Sequence, residues 1–307
     1  MAQCTNDNYD ALCRIAGSKN VLKDEPMARH TSFRIGGPAS IFVTPENKEV
    51  FCRVVDHCIE SNTEYFILGN GSNLLVSDNG YDGVIINTSK CLSEITLNGT
   101  RIYAEAGALL SKIASVALGE SLEGFEFASG IPGTLGGAVM MNAGAYGGEM
   151  KDVLVSVEVY DPSEKRIVNM PAYELELGYR TSVFKKAKKY ILSAVIELKL
   201  GESEKIKSKM DEFKASRTEK QPLNLPSAGS AFKRPEGHFA GKLIMDAGLR
   251  GFSIGDAAVS QKHCGFFVNL GNATAADMKK LFEEVIKKVD EKYGVVLEPE
   301  VKFLGRF

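Results

Sequence analysis

The sequence predicts an α+β protein in three parts, with breaks near residues 90 and 200. Three observations carry that reading. Helical and strand periodicities succeed one another along the chain. Two glycine-rich turns, at residues 69–73 and 128–148, each follow a run of strand or helix pattern. A charged helical run over residues 202–220 connects the strand-rich middle to a last segment that ends in an apolar-striped helix.

The 307 residues provide room for two or three domains, each able to bury a core of its own. A 44% hydrophobic and 25% charged composition is that of a globular protein, and a net charge of −2 supplies no broad basic field for nucleic acid or an anionic membrane. An anionic substrate would need a local basic pocket. The N-terminus has no basic start followed by an apolar core, and no apolar run reaches the length of a membrane span, so a cytoplasmic protein is expected. The six cysteines (Cys4, Cys13, Cys52, Cys58, Cys91 and Cys264) show no CxxC spacing, and the four histidines form no metal-ligand motif, so neither disulfides nor a metal site are expected. The oligomeric state stays open, a monomer included.

In chain order, residues 7–17 form an opening helix, and residues 31–39 a turn leading into a strand. Val50, Phe51, Val54, Val55, Cys58 and Ile59 recur at helical spacing within residues 47–61, and Tyr65 to Leu68 follows as a buried strand. Gly69, Asn70, Gly71, Ser72 and Asn73 then make a turn. This turn is not the dinucleotide fingerprint: it lacks the GxGxxG spacing, and residues 74–76 look extended where that fingerprint requires a helix. Asn98-Gly99 marks a hairpin within residues 91–106, and residues 109–118 form a helix. Beyond the second glycine turn come a strand pair around Asp161-Pro162 and a strand over residues 190–200. A helix is expected near residues 240–247. The terminal helix has Met278, Leu281, Phe282, Val285, Ile286 and Val289 on one stripe, with Thr274 as its N-cap and Gly294 at its end.

Residues 128–148, ASGIPGTLGGAVMMNAGAYGG, contain seven glycines in twenty-one residues, against a usual frequency of about 7%. Gly130, Gly133, Gly136 and Gly137, around Pro132 and Thr134, suit a tight turn that gathers backbone N–H groups at a helix start, where a phosphate would bind. A glycine-rich turn without a ligand fits the same residues. Two such turns suggest a ligand carrying two phosphates.

Eight strings, in order and over nearly the whole chain, resemble the UDP-N-acetylenolpyruvoylglucosamine reductase family: TSFRIGGPA, LGNGSNLL, SGIPGTLGGAVMMNAGAYG, GYRTSVFK, the Lys-x-Pro of Lys220 to Pro222, AGSAFK, SQKHCGFFVN and LEPEVKFLG. The resemblance implies a two-subdomain FAD-binding module of the vanillyl-alcohol-oxidase type followed by an α+β substrate-binding domain. The parts would be 1–90, 91–200 and 201–302, with 303–307 returning to the first. FAD would lie on Gly69 to Asn73 and on Ser129, Gly130, Ile131, Pro132, Gly133, Thr134, Gly136 and Gly137, with Asn142, Ala143, Gly144 and Arg217 nearby. The attachment would be non-covalent, since Asn70 and Asn73 stand on the first loop where covalent relatives carry a histidine.

The family's reaction, again by resemblance, uses NADPH as co-substrate and a UDP-sugar enolpyruvyl ether as substrate. Arg180 would hold the substrate carboxylate, Ser230 would protonate C2, and Glu300 would assist. Tyr146, Lys220, Arg234, Arg250, Lys262 and His263 would bind substrate. Each of these residue types also has a plainer role: a surface ion pair for Arg180, a turn hydroxyl for Ser230, a solvated carboxylate for Glu300, a packed ring for Tyr146, a loop side chain for His263. The chain departs from a longer subtype, in which an inserted segment carries a tyrosine over the diphosphate. Here residues 184–190 run straight into the next strand, and Arg234 replaces the asparagine of some relatives.

Overall fold

The computed structural model describes residues 6–307, so Cys4 lies outside the described residues. Among the described residues, seven α-helices span Asn6–Ala16 (α1), Lys48–Glu60 (α2), Leu110–Gly119 (α3), Leu135–Met140 (α4), Ser203–Lys220 (α5), Ala240–Asp246 (α6) and Ala275–Tyr293 (α7). The chain forms two compact units. The first comprises residues 1–23, 41–70 and 83–215, and the second residues 24–40, 71–82 and 216–307.

The first unit holds two cores. One runs from Leu12 to Leu92 and adds Tyr160 and Leu192. Its centre is the buried face of α2, where Phe51, Val54, Val55 and Cys58 recur at helical spacing as the sequence predicts. Asn47 caps that helix by accepting from the Val50 N–H at 2.9 Å. A flanking, half-buried strip is more polar. Lys48, Cys52 and Asp56 follow at four-residue steps; Lys48 pairs with Glu158, and Asp56 accepts from the Tyr160 hydroxyl at 2.5 Å. Burial, with Asp56 beside it, pushes the Cys52 thiol up to about 12, so it is an inert part of the helix. The strand Tyr65–Leu68 pairs in parallel with Tyr81–Asn87.

The other core lies beneath a five-stranded antiparallel sheet, ordered Arg166–Pro171, Leu154–Asp161, Tyr190–Glu197, Arg101–Glu105, Ile95–Asn98. Its hairpin turns at Gly99, with φ +60°, as the Asn98-Gly99 pair predicts. Helices α3 and α4 supply Leu110, Ile113, Leu135, Ala138 and Val139 to this core. Fully burying one such leucine or isoleucine contributes about 1.5–3 kcal/mol.

In the second unit, α7 buries Met278, Leu281, Phe282, Val285 and Val289. Phe282 meets Phe267 and Phe232 with ring centroids 4.7 and 5.2 Å apart. Thr274 and Asp277 form a reciprocal capping box, and Gly294 ends the helix at φ +65°. Asp78 adds a second cap, accepting from the N–H groups of Ala275 and Ala276 at 2.8 and 2.9 Å.

The units do not follow the expected parts. Phe33, Ile35 and Leu75, from the first ninety residues, belong to the core of the second unit. The C-terminus returns to a strand within residues 1–90: Lys302–Leu304 pairs in parallel with Leu74–Val76, and both strands are in the second unit. No described helix is long and apolar enough to cross a membrane, and the described residues contain no cluster of three or more His, Cys, Asp or Glu side chains able to hold a metal.

Candidate active site

In the first unit, the glycine stretch enters α4 at Thr134, whose backbone is extended at φ −94°. The first N–H groups of the helix are already engaged. Leu135 donates to the Ala108 carbonyl at 2.9 Å and Gly136 to the Ala106 carbonyl at 2.8 Å. Gly136 is a packing residue, since a Cβ there would stand 3.0 Å from the Ala106 Cβ. The anion nest expected at the helix start is therefore confined to the turn ahead of it, residues 130–134. That turn meets the end of the first glycine loop: Asn70 Nδ2 donates to the Pro132 carbonyl at 2.8 Å, and a Cβ on Gly69 would lie 2.4 Å from Thr134 Oγ1. Neither turn carries a carboxylate; in the second, the Ser129 hydroxyl donates to the Glu126 carbonyl at 2.8 Å and the Ile131 N–H to the Ala128 carbonyl at 3.0 Å, so the Gly133 N–H and the Thr134 hydroxyl are its candidate donors. This donor set fits the diphosphate of FAD. Gly71, Ser72 and Asn73 belong to the second unit, where a Cβ on Gly71 would stand 1.9 Å from the His30 carbonyl oxygen.

The later half of the stretch forms a hairpin. Gly144 and Ala145 pair with Gly148 and Glu149, and the two loop residues, Tyr146 and Gly147, have φ of +52° and +86°, as a type I′ turn requires. Gly144 is needed because a Cβ there would meet the Gly148 carbonyl oxygen at 2.7 Å. The Tyr146 ring stacks on Phe213 of α5 with centroids 4.3 Å apart, and its hydroxyl donates to the Phe213 carbonyl at 3.1 Å. Arg180 stands on a second two-residue turn, closed by mutual N–H to carbonyl bonds between Gly178 and Thr181 at 3.2 Å. Its φ is +54°. An arginine in this left-handed region costs on the order of 1–3 kcal/mol, which points to a functional reason for its place. Its guanidinium lies 5.2 Å from the Tyr179 ring centroid.

In the second unit, Ser230 and Glu300 come together: Ser230 bridges to Phe266, and the Glu300 N–H donates to the carbonyl of the next residue, Ala231, at 2.8 Å. Asn73 holds this segment, donating to the Glu300 carbonyl at 3.1 Å and accepting from the Lys302 N–H at 3.1 Å. Three expected substrate residues share another neighbourhood. Arg250 donates to the Gln261 carbonyl. Lys262 reaches the Thr218 carbonyl near the end of α5 at 2.6 Å, two residues before Lys220. Gly265 donates its N–H to His263 Nδ1 at 3.1 Å, which leaves the proton of a neutral ring on Nε2. Partial burial, with Arg250 adding its charge, holds the His263 ring below the usual imidazole range. Arg234 lies over the Phe239 ring at 4.0 Å. Arg217 lies on α5 with its Nε buried.

Residues 39–168 match the FAD binding domain family, and residues 221–304 match the UDP-N-acetylenolpyruvoylglucosamine reductase C-terminal domain. The chain is 51% identical over 296 residues to the UDP-N-acetylenolpyruvoylglucosamine reductase of Caldanaerobacter subterraneus subsp. tengcongensis, covering 96% of this chain and 97% of that one. It belongs to the UDP-N-acetylenolpyruvoylglucosamine reductase family. A Clostridium perfringens reductase is likewise 51% identical, covering 97% of both chains. The crystal structure of the Thermus caldophilus enzyme matches with a TM-score of 0.79 at 35% identity, over 93% of this chain and 98% of that one.

Within this reductase family fold, three residues carry structural duties that the sequence did not reveal. Asn142, expected beside the cofactor, is 1% exposed and its side chain bonds Glu149, the Gly178 carbonyl and the Lys151 N–H. Ser182, two positions past Arg180, donates to the Met140 carbonyl at 2.8 Å. Phe213 is the partner of Tyr146. Its only signal was being one of few apolar residues in a charged helix, and helical periodicity gives such a residue no partner.

Proposed function

We infer that this chain reduces UDP-N-acetylglucosamine enolpyruvate to UDP-N-acetylmuramate, a peptidoglycan precursor, with FAD as bound cofactor and NADPH as co-substrate. One observation carries the reading: 51% identity across 96% of the chain to a reductase of that name. Its setting is the cytoplasm.

Bound FAD would supply the hydride chemistry, linking NADPH to C3 of the enolpyruvyl group. Gly69, Asn70 and the turn of residues 129–134 would hold its diphosphate. The remaining chemistry falls to side chains. An enol ether accepts hydride poorly unless its carboxylate absorbs the charge that develops. Arg180 forks onto that carboxylate, an interaction that strengthens as charge builds. Ser230 then gives a proton to C2, with Glu300 on the neighbouring segment assisting. Lys220, Arg250, Lys262 and His263 bind the UDP diphosphate and Arg234 adds charge, while Tyr146 borders the reacting group. The closeness of Ser230 to Glu300 supports pairing them.

The purified protein, loaded with FAD, is expected to consume NADPH at a turnover rate only when the enolpyruvyl UDP-sugar is present. Equal consumption without it, or with a sugar or lactone in its place, rejects the reading.

A further inference from the structure

Arg180 is held in an unfavoured backbone region, and such a residue stays there only where its surroundings fix it from several sides. The turn is fixed from two. Ser182 ties its exit to the Met140 carbonyl at 2.8 Å. Asn142 ties its entry, donating from Nδ2 to the Gly178 carbonyl at 3.1 Å. The same Nδ2 donates to Glu149 Oε2 at 2.6 Å, and Oδ1 accepts from the Lys151 N–H at 2.9 Å. Both partners of Nδ2 can only accept and the partner of Oδ1 can only donate, so the amide has one possible orientation. One planar group thus joins the base of the Tyr146 hairpin, through Glu149, to the arginine turn.

We propose that Asn142 is a positioning residue for Arg180: by clamping the Gly178 carbonyl to Glu149 it sets the direction in which the guanidinium is presented to the substrate carboxylate. The proposal rests on the reading of Arg180 as the carboxylate-binding group. No other side chain of this size supplies two donors and one acceptor in a plane. Aspartate has no donor for Gly178 and would set its charge against Glu149; leucine matches the shape and makes none of the three bonds. Asn142 itself is 1% exposed, so water has little access to its amide to replace a lost bond.

The test separates the two half-reactions by stopped flow on the FAD-loaded enzyme. Scored per bound FAD, Asn142→Ala and Asn142→Asp should slow flavin reduction by NADPH far less than reoxidation. Reoxidation by the enolpyruvyl substrate should slow by roughly 10–100-fold, the scale of a misplaced binding group. In a double-mutant cycle, Asn142→Ala should add little to the defect of Arg180→Ala. Ser182→Ala removes the other tether while sparing all three Asn142 bonds, and should show the same selectivity at smaller size.

Multiplying defects in the cycle, or equal losses in both half-reactions, overturns the proposal. An Asn142→Asp enzyme with normal reoxidation does so too. If Arg180→Ala itself reoxidises normally, the reading of Arg180 falls and this inference with it. If only the coupling is missing, the inference alone falls.

Discussion

Asn142 is buried with every polar atom bonded to protein, and it holds the turn beneath Arg180. Lys262, in the second unit, reaches the Thr218 carbonyl at 2.6 Å from an exposed position. On the proposed function both arrangements would serve the binding of an anion, yet they are built by opposite means. In the first, burial and three directional bonds fix the backbone before any substrate arrives, which suits a group that must meet charge developing in a transition state. In the second, an ammonium on a flexible stem makes one solvent-facing bond to a carbonyl, which a phosphate oxygen can replace at small cost. On that reading, pre-organisation is concentrated where the chemistry would occur, and adaptability where the substrate would merely be held.

The contrast breaks most visibly at the two cations themselves. Arg180→Lys keeps the charge but not the planar fork, and is expected to lower kcat by roughly 10²–10³-fold. Lys262→Ala should raise KM for the UDP-sugar only several-fold at nearly constant kcat, the mark of uniform binding. Steady-state kinetics on both variants decides this, and a kcat effect at Lys262 as large as that at Arg180 erases the distinction.

Gly69 sharpens the same comparison. A Cβ there would lie 2.4 Å from Thr134 Oγ1, inside a turn with no room to shift cheaply. Gly69→Ala is expected to cost about 1–3 kcal/mol, read as a lower Tm and as FAD lost on gel filtration. Gly147→Ala is a useful control, because a Cβ there meets nothing within 4 Å, although its φ of +86° is itself unfavourable. An unchanged FAD content in Gly69→Ala would mean that the two turns do not form the cofactor cradle.

The smallest effect lies on α2, outside both regions. His57 has a buried Nε2 and a pKa held below its ordinary 6.5, by burial first and by the Arg14 charge as well, with Glu60 opposing. The neutral ring fits the fold, while the unfolded chain takes up a proton near 6.5. Its contribution to stability is therefore whole above that pH and is lost as pH falls through the lower folded value. His57→Gln should flatten the decline of Tm between about pH 7 and 5. A decline as steep as in the parent assigns the acid sensitivity to other groups.

Much of the fold was legible locally. The α2 stripe, the Asn98-Gly99 hairpin, the Thr274 and Gly294 caps and the strand Tyr65–Leu68 all stand where periodicity and capping rules put them. Domain membership was less legible: Phe33 and Leu75 look like neighbours of the first core in sequence and pack in another. So was the use of the glycines. Composition marks Gly136 and Gly130 alike, yet the Gly136 N–H serves the Ala106 carbonyl, because helix approach distance is not written in residue type.

By itself the sequence determined which elements form, since turn, cap and stripe signals act within a few residues of each other. It also determined, by eight ordered strings, the family and with it the reaction. The tertiary structure alone decided which protein groups Asn142 bonds. An amide side chain has no partner written in its residue type, and only the meeting of Gly178, Glu149 and Lys151 around it, from places up to thirty-six residues away along the chain, supplies them.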